Sequence, residues 1–298
     1  MLLARLALYA RICPMKKFLL PCLIVLSLLA APVAAQAAAR PNDPFAHSAR
    51  SYLVQVGGTT VWSHQPDQPL PPASLTKIMT ALLVLERANL NQVVKVAPSV
   101  AAVTGSRIHL RPGDQVRVRD LLAATLISSA NDAAHALAVH MAGSEARFAG
   151  MMNERAAKLG MKSTNFVNSA GHHHPEHYST ASDLLRLTEA ALARPMFREL
   201  VSKVRYDVRT VDGKRRFKLE NSNKLLPTYE GMVGVKTGYT PEAGRCLIAL
   251  AERDGVEVLI VLLRAKDRWN LATRMLDTAF QRYAFLGDGK KPVLMAKR

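Results

Sequence analysis

The chain has 298 residues, is 49% hydrophobic and carries a formal net charge of +17. That length and apolar content suffice for one large core, which can divide into two lobes. Aromatic residues are only 6%, and neither a zinc-finger spacing nor a basic run interleaved with aromatics occurs, so the charge points away from nucleic acid and toward an anionic lipid surface or acidic polymer.

Arg5, Arg11, Lys16 and Lys17 precede an apolar run from Phe18 to Ala31, followed by the small-residue stretch Pro32 to Ala39. A positive region, a short apolar region and small residues at a cleavage point predict a secretory signal peptide over 1–39, and an exported protein in the periplasm or cell-wall space. The apolar run is too short to span a bilayer comfortably. Met15-Lys16-Lys17-Phe18 opens such a signal by itself and marks Met15 as an alternative start. Cys22 follows Pro21 early in the apolar run, which argues against lipoprotein processing. Cleavage removes four basic residues and two of the three cysteines, leaving Cys246 without an internal disulfide partner.

Ser51–Val56 and Thr59–Trp62, joined by Gly57-Gly58, read as a hairpin. Pro71-Pro72 then leads into Ala73-Ser74-Leu75-Thr76-Lys77. Leu75, Ile78, Met79, Leu82 and Leu83 recur at three- and four-residue steps, predicting a buried amphipathic helix to about Arg87. Ser74 and Lys77 fall on one face of its first turn, where a hydroxyl and a lysine with a burial-lowered pKa can act as nucleophile and base. A Ser-x-x-Lys by itself arises about once by chance in a chain of this length.

Arg107–Leu110 and Gln115–Val118, around Pro112-Gly113-Asp114, predict a second hairpin. Helices are expected over Asp120–Ile127, Asp132–Met141 and Glu145–Leu159, the last stopped by Gly160. Between the first two lies Ser128-Ser129-Ala130-Asn131. Asn168–Ser179 reads as a polar loop, with His172-His173-His174 and His177. Three consecutive side chains cannot all reach one ion from a regular element, so a polar lid over a cleft is the preferred reading over a structural metal.

A helix over Thr180–Ala193 follows, then a hairpin from Tyr206–Thr210 and Arg215–Leu219 around Asp212-Gly213. Strands are expected at Met232–Val235, Cys246–Ala251 and Val256–Leu263, and a helix at Trp269–Tyr283. Lys236-Thr237-Gly238 stands at the end of the first of these strands. Cys246, inside an apolar run, reads as a buried small residue and not a nucleophile. Strands at both ends with helices between them predict an α+β fold, an antiparallel sheet with a helical lobe.

Ser74-x-x-Lys77, Ser129-x-Asn131 and Lys236-Thr237-Gly238, in that order, form the motif set of the penicillin-recognising serine acyl-transferases. With Tyr178-Ser179-Thr180-Ala181-Ser182-Asp183 and Tyr239-Thr240-Pro241-Glu242-Ala243-Gly244, the chain resembles the D-alanyl-D-alanine carboxypeptidases, the low-molecular-mass penicillin-binding proteins, from about Ser51 to Phe285. The resemblance implies a β-lactamase/transpeptidase-like fold over 40–285, no cofactor, and removal of the terminal D-Ala from peptidoglycan stem pentapeptides, with β-lactams as covalent inhibitors. Many relatives add a β-rich domain and an amphipathic membrane anchor. Neither fits the short basic tail at 286–298, so membrane association is expected to be peripheral and electrostatic at most.

Ser74 is then the nucleophile, Lys77 its base and Ser129 the relay that protonates the leaving amine. Asn131 suits a substrate peptide bond, Lys236 adds positive charge, and Thr237 can donate to a terminal carboxylate. Gly238 allows close backbone approach. The resemblance implies an oxyanion hole from the backbone N–H groups of Ser74 and Tyr239, and Arg264 is a further carboxylate candidate. A class A β-lactamase adds a glutamate that activates water. Phe166-Val167-Asn168 offers none and Glu176 stands too close to the Ser179-Thr180-Ala181 segment. A D,D-endopeptidase is the nearer alternative, and a non-enzymatic wall-binding module would explain the charge but not the motifs.

Overall fold

The computed structural model describes residues 43–284 and 293–294. The signal-peptide expectation for 1–39 and most of the predicted tail fall outside them. In chain order the first elements are β1 (Ala49–Val56), β2 (Thr59–His64), α1 (Lys77–Arg87), β3 (Val93–Lys95) and β4 (Gln115–Arg117). Then come α2 (Val118–Ile127), α3 (Asn131–Ala142), α4 (Glu145–Lys158), α5 (Ala181–Leu192) and α6 (Pro195–Val201). The remainder comprises β5 (Arg205–Arg209), β6 (Arg216–Glu220), β7 (Met232–Thr240), β8 (Gly244–Arg253), β9 (Val256–Ala265), α7 (Arg268–Arg282) and the short pair β10 (Tyr283–Ala284) and β11 (Val293–Leu294).

Cys246–Ala251 and Val258–Leu263 are apolar without alternation, the pattern of strands covered on both faces. They lie in β8 and β9, inside a five-stranded antiparallel sheet of order β2-β1-β9-β8-β7. Alternate residues serve two cores. Cys246, Ile248 and Leu250 of β8, with Leu259, Val261 and Leu263 of β9, face the helical lobe. Leu247, Ala249 and Ala251, with Val258, Ile260 and Leu262, face α7 through its Leu271, Ala272, Met275, Leu276 and Ala279. The period-two pleat thus splits one apolar run between two layers.

Helix α1 is buried from Lys77 through Val84 and packs against α2, α3, α4, α5 and α6. A helix covered on every side is the centre of its lobe; truncating fully buried Leu82 to alanine would cost about 2–5 kcal/mol. Lys77 and Thr80 are its polar residues inside this core, and both need partners there.

The second predicted hairpin is corrected. β4 pairs with β3, not with Arg107–Leu110. The backbone N–H groups of Ile108 and Leu110 donate to the two carboxylate oxygens of Asp132 (3.2 and 2.9 Å), so they are not free for a strand ladder. Helix α6, begun by Pro195 at a position that favours a helix start, was not expected either. Lys236-Thr237-Gly238 lies within β7 and not at its end.

Candidate active site

Pro71-Pro72 delivers the chain into a 3-10 turn, Ala73–Thr76, that runs directly into α1 at Lys77. Ser74 is therefore in this turn, one step before the regular helix, and is partly exposed while Lys77 is fully buried. The Lys77 amine Nζ stands 2.8 Å from Ser74 Oγ, 2.7 Å from Asn131 Oδ1 and 2.7 Å from the Ala170 carbonyl oxygen. Burial holds its pKa well below the ordinary lysine value, and the nearby charge of Lys236 adds to this; Glu145 and Asp132 pull the other way. A neutral amine has two N–H donors and one lone pair. Donating to Asn131 and Ala170 leaves the lone pair for the Ser74 hydroxyl.

The Ser-x-Asn segment joins α2 to α3. Ser129 takes a positive φ of 58° there, an uncommon conformation that turns the chain sharply between the helices. It is buried, but it is not among the three partners of Lys77. Asn131 Oδ1 accepts from Lys77, and one Nδ2 hydrogen donates to the Thr104 carbonyl at 2.7 Å. Its amide oxygen thus positions Lys77, a role that the sequence had not suggested, and the amide has a second Nδ2 hydrogen for the substrate contact expected of it.

β7 forms one edge of the sheet and runs beside the Ala73–Thr76 turn. A β-carbon on Gly238 would meet the Pro72 carbonyl oxygen at 2.9 Å, so glycine serves this packing. Lys236 is 1% exposed, and its Nζ donates to the Thr237 carbonyl at 3.0 Å. Burial, assisted by the Arg268 charge, lowers its pKa to about 7. Thr237 Oγ1 lies 2.6 Å from Ser222 Oγ, and the Tyr239 side chain is 61% exposed. Arg264 is also exposed. Arg268, at the start of α7, donates from Nη1 to the Gly238 carbonyl at 2.7 Å and to that of Cys246 at 3.1 Å. Burial pushes the Cys246 thiol up to about 11, which fits a packing residue.

The polar loop is a wall of the site. Gly171, at φ 86°, packs against the Ala73 carbonyl where no side chain fits, and Asn168 Oδ1 accepts from the N–H groups of Gly171 and His172. His173 and His174 are exposed, but His177 is buried and pairs through Nε2 with Thr76 Oγ1 at 2.8 Å. Among the described residues no three His, Cys, Asp or Glu side chains are grouped as a metal site. Sequence reasoning missed Ala170, Ser222 and Arg268. A backbone carbonyl and residues outside any motif leave no mark in the sequence, although Gly171 within a polar run hinted at a close approach.

Residues 35–267 match the family model for D-alanyl-D-alanine carboxypeptidase. The chain is 34% identical to D-alanyl-D-alanine carboxypeptidase DacF of Bacillus subtilis over 90% of its length and 72% of that protein's. It is 31% identical to the D-alanyl-D-alanine endopeptidase of Escherichia coli over 86% of its length and 85% of that protein's. The crystal structure of a Streptomyces DD-transpeptidase superposes with a TM-score of 0.74 at 33% identity, covering 78% of this chain and 97% of the other. With the part-buried Ser74–Lys77 contact beside the edge strand of the sheet, these matches make the chain a member of the D-alanyl-D-alanine carboxypeptidase family, the serine D,D-peptidases.

Proposed function

We propose that this serine D,D-peptidase removes the terminal D-Ala from peptidoglycan stem pentapeptides through an acyl-enzyme on Ser74. The observation that carries the reading is the 2.8 Å separation of Ser74 Oγ from a lysine amine whose pKa burial lowers well below the ordinary value. Ser74 attacks the carbonyl between the two D-Ala residues as its proton passes to Lys77 Nζ. Ser129 carries a proton to the departing amine, so free D-Ala leaves and the acyl group stays on Ser74. Water then hydrolyses the ester. The backbone N–H groups of Ser74 and Tyr239 hold the developing oxyanion.

Thr237 and Lys236 receive the terminal carboxylate. Arg268, held on the Gly238 carbonyl, supplies guanidinium charge at the motif strand. A β-lactam enters as a mimic of the same peptide and acylates Ser74. Deacylation is slow, because Glu145, which packs on the loop at Ser169, has both oxygens occupied by Ser169 and His135 and is not free to activate water.

Incubation with a synthetic pentapeptide and with purified cross-linked dimer, products identified by mass, tests the reading. Release of D-Ala from the pentapeptide by the parent, absent in Ser74→Ala, is expected. Cleavage of the dimer alone would establish the endopeptidase reading, which the similarity to a named endopeptidase favours. The mature chain works as an exported protein, after loss of 1–39.

A further inference from the structure

Behind Lys77 lies a second polar cluster that none of the three motifs contains. His135 is on α3 one turn beyond Asn131, and Glu145 opens α4. Glu145 Oε2 accepts from the Ser169 backbone N–H at 2.9 Å, and its Oε1 accepts from Ser169 Oγ at 2.7 Å. The same Oε1 lies 2.9 Å from His135 Nδ1. A carboxylate there can only accept, so His135 donates from Nδ1, and its Nε2 lies 2.8 Å from Ser99 Oγ. The Ser169 carbonyl is held in turn by Thr80 Oγ1 of α1 at 2.7 Å. The next residue, Ala170, supplies the carbonyl that accepts from Lys77.

Ser169 is thus fixed at its N–H, its hydroxyl and its carbonyl, and the peptide that follows aims one acceptor at the catalytic amine. A cavity of about 290 Å³, large enough to hold water, is lined by Thr104, Asn131, His135, Glu145, Ala170 and His172. Glu145 is partly buried, where a unit charge acts on its neighbours with little screening. The charged groups facing Lys77 are Lys236 from β7, Asp132 from α3, Glu145 from α4 and, when protonated, His172 from the loop.

We propose that Glu145, oriented by His135, is a positioning residue for acylation: it clamps Ser169 so that the Ala170 carbonyl holds the Lys77 amine against Ser74, and its charge sets the pH at which that amine becomes a base. The proposal rests on the reading of Lys77 as the base. Negative charge at Glu145 favours the lysine cation and opposes the effects of burial and of Lys236. Removing the charge while keeping the shape therefore makes Lys77 a base at lower pH.

The test is the acylation rate by a fluorescent penicillin from pH 5 to 10 in the parent, Glu145→Gln, Glu145→Asp and Lys77→Arg, each with its thermal unfolding curve. Glu145→Gln is expected to shift the rising limb down by ~0.5 pH unit or more, and Glu145→Asp to move it back toward the parent. Glu145→Ala, where it folds, should lose roughly 10–100-fold in acylation rate, with the concentration for half-saturation little changed. A Glu145→Gln limb that coincides with the parent's, with Lys77→Arg inactive, overturns the proposal and leaves the base assignment standing. Near-parental acylation by Lys77→Arg overturns both. A lost rate in Glu145→Gln that tracks a lowered melting temperature, with no movement of the limb, assigns Glu145 to folding alone and also overturns it.

Discussion

Gly238 of β7 faces the carbonyl oxygen of Pro72 with no room for a side chain between them: a β-carbon would stand 2.9 Å from that oxygen and 3.3 Å from the β-carbon of Ala73. This contact sets the gap between the turn that carries Ser74 and the strand that carries Lys236 and Thr237. Gly238→Ala should push the two apart. The expected cost is about 1–3 kcal/mol in stability, as for overpacking elsewhere. The acylation rate should fall more steeply, by roughly 10²-fold, because about 1 Å of misplacement suffices for that loss. Denaturant unfolding and penicillin acylation on one preparation check both.

Lys77 must be neutral to take the Ser74 proton. Its pKa is lowered by burial and by Lys236 from an ordinary 10.5, so acylation should rise with pH along a limb whose midpoint lies well below that value. The same depression makes the folded state resist protonation more than the unfolded state, so this group's contribution to stability rises with pH between the lowered value and 10.5. Lys77→Arg should abolish acylation while the protein still folds, since a guanidinium stays protonated throughout. Intact-mass analysis after penicillin treatment, with the adduct mapped to the Ser74 peptide in the parent and absent in the variant, is the measurement.

His177 offers a test of the wall behind the nucleophile turn. Burial, with the neighbouring His174, His172 and His173 charges, lowers its pKa from 6.5 to about 4. Between those values the unfolded chain binds a proton that the folded chain refuses. Stability from this group is complete above pH 6.5 and is lost as pH falls toward 4, by about 3 kcal/mol at most. His177→Gln should flatten the melting-temperature profile across that window, and an unchanged slope would remove His177 from the acid response.

On the proposal that the protein is exported, its excess of basic residues predicts how it is retained. With 1–39 removed and contacts to anionic wall or lipid made by charge, association is screened over about 8 Å at physiological salt. Fractionation in rising salt should release the protein. Retention that only detergent breaks would show an anchor in place of the electrostatic contact.

The order and spacing of short motifs, and the apolar patterns around them, were determined by the sequence alone. Ser74 and Lys77 share a face because a helical turn brings residues three apart together. Cys246–Ala251 and Val258–Leu263 had to be covered on both faces because their apolar run does not alternate. The tertiary structure decided what those local rules cannot contain. Ile108 and Leu110 lost their place in a hairpin to the Asp132 carboxylate, a partner 22 or more residues away. Asn131 proved to be a support for Lys77, since its acceptor and donor both found partners in other segments. Arg268 reaches the motif strand from the start of α7, outside every motif, and does so only once the sheet is assembled. The acceptor that completes the Lys77 triad of contacts is the backbone oxygen of Ala170. Every residue carries such an oxygen, so only packing can select which one serves.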